Sequence, residues 1–315
     1  MAMPILFRGL LVAMPLAMAA PAMPQDNESA AAAPGQTASE GPDEDQIIVR
    51  GGRPVEVGRA RVQRQARAIT PSDDQRNVPL ARFEDRLCPG IIGLQVDAAM
   101  MMIDRIRYNA RQLGVRVMDD GCTPNMVVVF SGDSQASMQA LVDRNPGVFS
   151  HVRQPEQRRM LAPGPVHVYN QIELRTRDGM PIGQVRDMTR PPVSRQQMAH
   201  SLIYTSTRRD IVSVTILFDN DAVDDMTIGQ LADYATMRGL AQTQPTDDLA
   251  MDSILSLFNA QGPYPEELTD FDRAYLRSLY SSIPNLPAIY KLANVQQELD
   301  RRAEEQVLEN LPIDP

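Results

Sequence analysis

The sequence predicts an α+β fold, a mixed sheet with backing helices, on three observations. From about Arg76 onward, short β-rich runs alternate with runs of helical period, separated by brief Pro/Gly/Asn/Asp gaps. The run "VDAAMMMIDRIRYNARQLG" sets Ala99, Met102, Ile103, Ile106, Ala110 and Leu113 at three- and four-residue spacing, which marks an amphipathic helix ending at Gly114. The run "IVSVTILFD" is almost continuously apolar, as a central strand buried on both faces must be.

Two segments precede that domain. Residues 1–22 carry Arg8, then the apolar run "GLLVAMPLAMAA", then small residues at alanine-x-alanine spacing, which reads as a secretory signal peptide. The run is shorter than the ~20 apolar residues a membrane-spanning helix needs, so the expected protein is periplasmic or secreted and not membrane-spanning after cleavage. Residues 23–75 are rich in Ala, Pro, Gly, Ser and acid and have too little apolar surface to offset the entropy of ordering, so they read as a flexible leader. Within it, "DEDQIIVRGGRP" resembles the energy-transducing box of outer-membrane receptors. That resemblance implies that Ile47 to Val49 docks a periplasmic partner as an added strand, although such triplets also begin ordinary strands. Its Arg-rich end, with Arg53, Arg59, Arg61, Arg64 and Arg67, reads as a solvated, partly helical segment or as a basic arm for an acidic partner.

The expected boundaries are 76–286 for the folded domain and 287–315 for a C-terminal helix and tail. "LARFEDRLCPGIIGL" begins like a strand and breaks at Pro89 and Gly90. "VRVM" and "MVVVFS" flank the turn "DDGCTPN" as short strands, and strand, helix, strand implies a parallel crossover. Asp133 or Ser134 caps the next helix, and Pro155 sits in the first turn of another. "PVHVYNQIELRT" reads as a strand, with a hairpin turn at Asp178-Gly179 and a partner strand after it; "SLIYTSTRRD" and "IVSVTILFD" are read as two further strands. Last come a helix over Thr227 to Ala241, the short segment "SILSLF", a helix from Leu268 with Thr269 and Asp272 as a capping box, and a long helix from about Pro287 to Asn310.

Chemistry is harder to place. A net charge of −9 opposes broad phosphate-backbone binding, so no nucleic acid partner is expected. Neither a glycine-rich phosphate cradle nor a nucleophile elbow occurs; "SGDS" lacks the glycines an elbow requires. Cys88 and Cys122 are the only cysteines; in an oxidising compartment an even count favours a disulfide, while a catalytic thiol would need an activating neighbour that the sequence does not put nearby.

The order of the last elements, an apolar strand, the helix "TIGQLADYATMRGLA", "SILSLF" and "LTDFDRAYLRSLY", resembles the catalytic half of zincin metalloproteases over roughly residues 211–280. Aligning Gly239 with that family's glycine puts Ala232, Asp233 and Thr236 where the pattern HExxH has histidine, glutamate and histidine. Alanine cannot ligate and a threonine hydroxyl is a poor zinc donor, so the resemblance implies the scaffold without its metal, and no cofactor. His151, His167 and His200 lie upstream and dispersed, and His167 reads as a structural strand residue. The mature chain is also similar to an uncharacterised secreted family of Gram-negative bacteria that shares "LCPG" and "QLADYATMRGLA", a resemblance that implies no activity.

On a helical wheel Ile228, Leu231, Ala232, Ala235 and Gly239 form the core stripe, with Gly229, Asp233 and Thr236 as a polar flank bordering the expected cleft. The expected function is that of a pseudoenzyme-like binding domain for a periplasmic protein or peptide, using that cleft or a strand edge. Two alternatives stay open: a degenerate hydrolase with Asp233 as its candidate catalytic group, and an accessory envelope protein pairing through the apolar line Leu292, Val295, Leu299, Ala303 and Val307.

Overall fold

The computed structural model describes residues 58–71, 75–150, 152–182, 189, 201, 203–247, 249–259 and 264–309. Contacts divide the chain into Met1–Gly52 and Arg53–Pro315, and all described residues belong to the second unit. The expected signal peptide, the triplet Ile47 to Val49, Arg53, His151 and His200 lie outside the described residues.

The unit is α+β. Among the described residues four strands, β1 (Pro89–Ile92), β2 (Met126–Ser131), β3 (Val166–Thr176) and β4 (Thr207–Asp219), form one mixed sheet in the order β1-β2-β4-β3. β1, β2 and β4 run parallel, and β3 is antiparallel to β4 along the outer edge. The "IVSVTILFD" run does occupy an inner strand, bonded on both sides. β1 and β2 are joined through α2 (Val96–Gln112), the parallel crossover the pattern implies. Gly114, at φ +75°, ends α2 in the left-handed conformation that glycine adopts without a Cβ penalty.

Successive residues of β4 face opposite ways, and this divides the interior. Val214, Ile216 and Phe218 turn into the main core, shared with α1 (Arg59–Ala68), α2, α7 (Ile228–Leu240), α8 (Asp270–Tyr280) and α9 (Ala288–Glu309). Leu217 turns the other way, onto Met138 of α3 (Ser134–Arg144), Phe149 of α4 (Pro146–Phe149) and Met160 of α5 (Gln154–Met160). A short α6 (Asn220–Val223) and a 3-10 turn (Ile254–Phe258) complete the order. Asp133 caps α3 by accepting from Ala136 N, and Thr269 with Asp272 forms a capping box on α8.

Several local expectations are corrected. The first strand begins at Pro89 rather than breaking there, because the opening residue of an edge strand has no ladder bond for a missing N–H to cost. Leu80 to Leu87 runs alongside as isolated bridges only, and "VRVM" is reduced to one bridge, Val117 with Leu87. The two expected strands around Asp210 are one, since β4 starts at Thr207 and pairs with β3 along its whole length, absorbing a register shift at Gln171/Ile172. The hairpin after Asp178-Gly179 shows its first bridge, Arg175 with Pro181, and residues 183–188 lie outside the described residues.

The Arg-rich stretch is also more than a solvated arm. It forms α1, and Val62, Ala66 and Ile69 at i, i+4 and i+7 have no solvent exposure. Val62→Ala is expected to cost about 1–2 kcal/mol in urea unfolding, whereas a solvated leader helix would show no change.

Cys88 and Cys122 form a disulfide with Cα atoms 6.2 Å apart. It ties the start of β1 to the loop before β2 and is consistent with an oxidising compartment outside the cytoplasm. Replacing both cysteines by serine is expected to cost about 3 to 4 kcal/mol by the chain-entropy argument, read as a lower urea midpoint that matches reduced wild-type protein. No helix among the described residues is long and apolar enough to cross a membrane.

Candidate functional site

The helix with the polar flank is α7, capped by Thr227 and Gln230 in a full capping box. Gly239 lets it lie close on the sheet: a Cβ there would stand 2.7 Å from Met126 Cε of β2. On another side of α7, α2 and the loop at Leu268 cover Asp233 and Thr236, and both have no solvent exposure. Gly229, one turn earlier, stays partly exposed, so the three flank residues do not share an open surface.

Asp233 is held by four donors. Arg105 Nε and Nη2 of α2 donate to its two oxygens at 2.8 Å each, Asn109 Nδ2 donates at 2.7 Å, and the backbone N–H of Leu268 donates at 2.9 Å. The bond to Asp233 raises the Arg105 guanidinium above its ordinary value, with burial opposing. Thr236 Oγ1 donates to Ala232 O and accepts from Asn109. A fork-like Arg–carboxylate pair with added amide donors is the arrangement that makes a buried charge tolerable.

His167 lies in β3, buried, with Nδ1 against Met160 O at 2.9 Å. Among the described residues no group of three or more His, Cys, Asp or Glu is placed to hold a metal ion.

A concave surface lies beyond Leu268. There an open groove of about 670 Å³ runs between α1, the loop at 250–252, the loop leading into α8, and the end of α9. Arg61, Asp252, Glu266, Asp270, Arg273 and Arg302 line it, over Met251, Leu268 and Phe271. Its size falls within the range of roughly 300–1,000 Å³ usual for ligand clefts. Two buried carboxylates hold the walls from behind. Asp233 fixes Leu268 N, while Asp272 accepts from Ser253 Oγ at 2.6 Å, Ile254 N at 2.7 Å and Thr269 N at 3.0 Å. Burial pushes the Asp272 carboxyl up, against these bonds, which favour its charged form. On the surface, Glu267 bridges Arg105 and Arg273, and Asp270 pairs with Arg302.

Sequence reasoning singled out Asp233 for its flank position and read Asp272 as half of a capping box with Thr269. It missed that Asp233 and Asp272 are the two internal ties of one groove. The available signal was the pair of capping motifs, which place a side chain only against its own helix. The chain matches no family model, no curated protein and no solved structure in the comparisons made.

Proposed function

We propose that the protein is an exported, non-catalytic binding domain that receives a peptide segment of an envelope partner in the groove at the start of α8. The observation that carries this reading is the groove itself, a wide polar trough over an apolar floor whose walls are held by Asp233 and Asp272. Preset walls spare a bound chain the ordering cost that a mobile site would add. The succession of β4, α7, the 3-10 turn and α8 supports a zincin-like scaffold, with Ala232 and Thr236 standing where that family places ligands. Hydrolysis by Asp233 finds little support: a general base needs a free lone pair facing substrate, and its oxygens are engaged by four donors away from solvent.

The test is a cross-linking capture from periplasmic extract with the wild-type protein and Ala250→Trp, which fills one wall of the groove. Loss of the same captured peptide in the variant, with unchanged melting, supports the reading. Equal capture by both proteins would overturn it.

A further inference from the structure

The outward face of α2 carries side chains that the fold itself does not use. Five large apolar residues lie exposed between the end of β1 and the later turns of α2: Ile92, Val96, Met100, Met101 and Tyr108, at 49% to 72% exposure. Scattered singly such residues need no explanation, but grouped along one helix face they mark a contact surface. Between them, Asp97, Asp104 and Arg111 are exposed at seven-residue intervals, and at 3.6 residues per turn they stand in one column about 21 Å long. Val96 and Met100 flank the column on one side, Met101 and Tyr108 on the other. The arginines beside it are spent elsewhere, Arg105 on Asp233 and Arg107 on Asp120. Asp97, Asp104 and Arg111 make no ion pair and no side-chain hydrogen bond among the described residues. Asp97 suits the positive end of the helix and Arg111 its negative end, whereas Asp104 stands mid-helix without that reason.

From end to end the column reads acid, acid, base, and an antiparallel copy of it reads base, acid, acid. With a two-fold axis through Asp104, Asp97 therefore meets Arg111 of the second copy and Arg111 meets its Asp97, so each attraction occurs twice, as in any isologous contact. Met101 then lies opposite Tyr108 of the second copy, on the same side of the column, where a thioether packs well against a ring. We propose that α2 is the docking face of a reversible homodimer, in which two copies of this helix pack antiparallel through the Asp97–Arg111 and Met101–Tyr108 pairs. The two Asp104 carboxylates face each other at the axis, and this like-charge contact keeps the association weak. One helix face is also small beside the interfaces of permanent dimers. A parallel copy would set like against like at all three charged positions, and a lipid surface would have to accept two carboxylates among its apolar contacts.

Sedimentation velocity of the purified protein over a range of concentrations reads the equilibrium directly, and wild type is expected to shift from monomer to dimer as concentration rises. Asp97→Arg alone and Arg111→Asp alone should each weaken the dimer about tenfold, since each change turns two attractions into two repulsions. Both changes together restore the pairs with their signs exchanged and should bring the affinity back to within a few-fold of wild type. Asp104→Asn should tighten the dimer by removing the like-charge contact at the axis. Circular dichroism checks that the helix is kept. If a reversal frays an end of α2, Tyr108→Ser decides, with loss of the dimer as the expected result. A protein that stays monomeric at every concentration, a dimer indifferent to the single reversals or to Tyr108→Ser, or a double reversal no tighter than either single one would each overturn the proposal.

Discussion

Asp233→Ala is expected to lower the unfolding free energy by several kcal/mol, within the range of about 3–5 kcal/mol for removing one partner of a buried ion pair. The carboxylate has no exposure, so its loss leaves the Asn109 amide only its weaker bond to Thr236 and strands the Leu268 N–H inside the protein. Arg105 keeps 30% of its side-chain surface and can turn to water, which places the cost toward the lower end of that range. Urea unfolding gives the magnitude, and hydrogen exchange gives the mechanism: the Leu268 amide should exchange faster in the variant while β4 stays protected. Arg105→Ala with Asp233→Ala should cost less than the sum of the two single changes, because the second removes a group already unpaired. A variant within about 0.5 kcal/mol of wild type, the ordinary range for surface substitutions, would show that the clamp does not hold the fold together.

Lys291→Met should stabilise the protein at neutral and acid pH, an unusual direction for a change in the interior. Lys291 is the only lysine in the chain. It has no exposure, and among the described residues its amine donates to Pro284 O at 3.4 Å. Burial pulls its amine down to about 7, helped by Arg82 and opposed by Glu84. For a base whose folded value is depressed, the unfolded chain binds the proton more tightly. The penalty is therefore complete below pH 7 and fades as pH rises toward the unfolded value of 10.5. The swing across that window is on the order of 5 kcal/mol, so wild-type stability should climb from pH 7 to pH 10 where Lys291→Met stays nearly flat. The two bridged cysteines do not titrate, and the tyrosines that burial raises, Tyr169, Tyr275 and Tyr280, begin to cost stability only as pH rises past 10, above the window read here. Parallel pH profiles for the two proteins would show that Lys291 is not buried as described.

Much of the architecture was legible because it rests on local rules. The period of α2, the caps of α3 and α8, and the apolar run of β4 each involve residues a few positions apart, and each lies where the pattern puts it. The disulfide was legible by count and compartment alone. Proline at the start of β1 was misjudged because its cost depends on whether a neighbouring strand needs its N–H, and sequence order does not show which strands become edges. Val62, Ala66 and Ile69 escaped because arginines surround them, and three apolar residues in a charged segment announce a core helix only once α9 lies beside it.

The candidate site divides in the same way. The sequence by itself determined that α7 is a helix with Asp233 and Thr236 on one flank, without the imidazoles a zinc helix would carry. Only the tertiary structure decided that this flank faces α2 and the loop at Leu268 rather than a cleft, and that the groove lies on the loop's far side. Helical period sets the angle between side chains on one helix, but whether a given side meets solvent or protein depends on partners 128 and 35 residues away in the chain, Arg105 and Leu268. Periodicity within a helix carries no information about them.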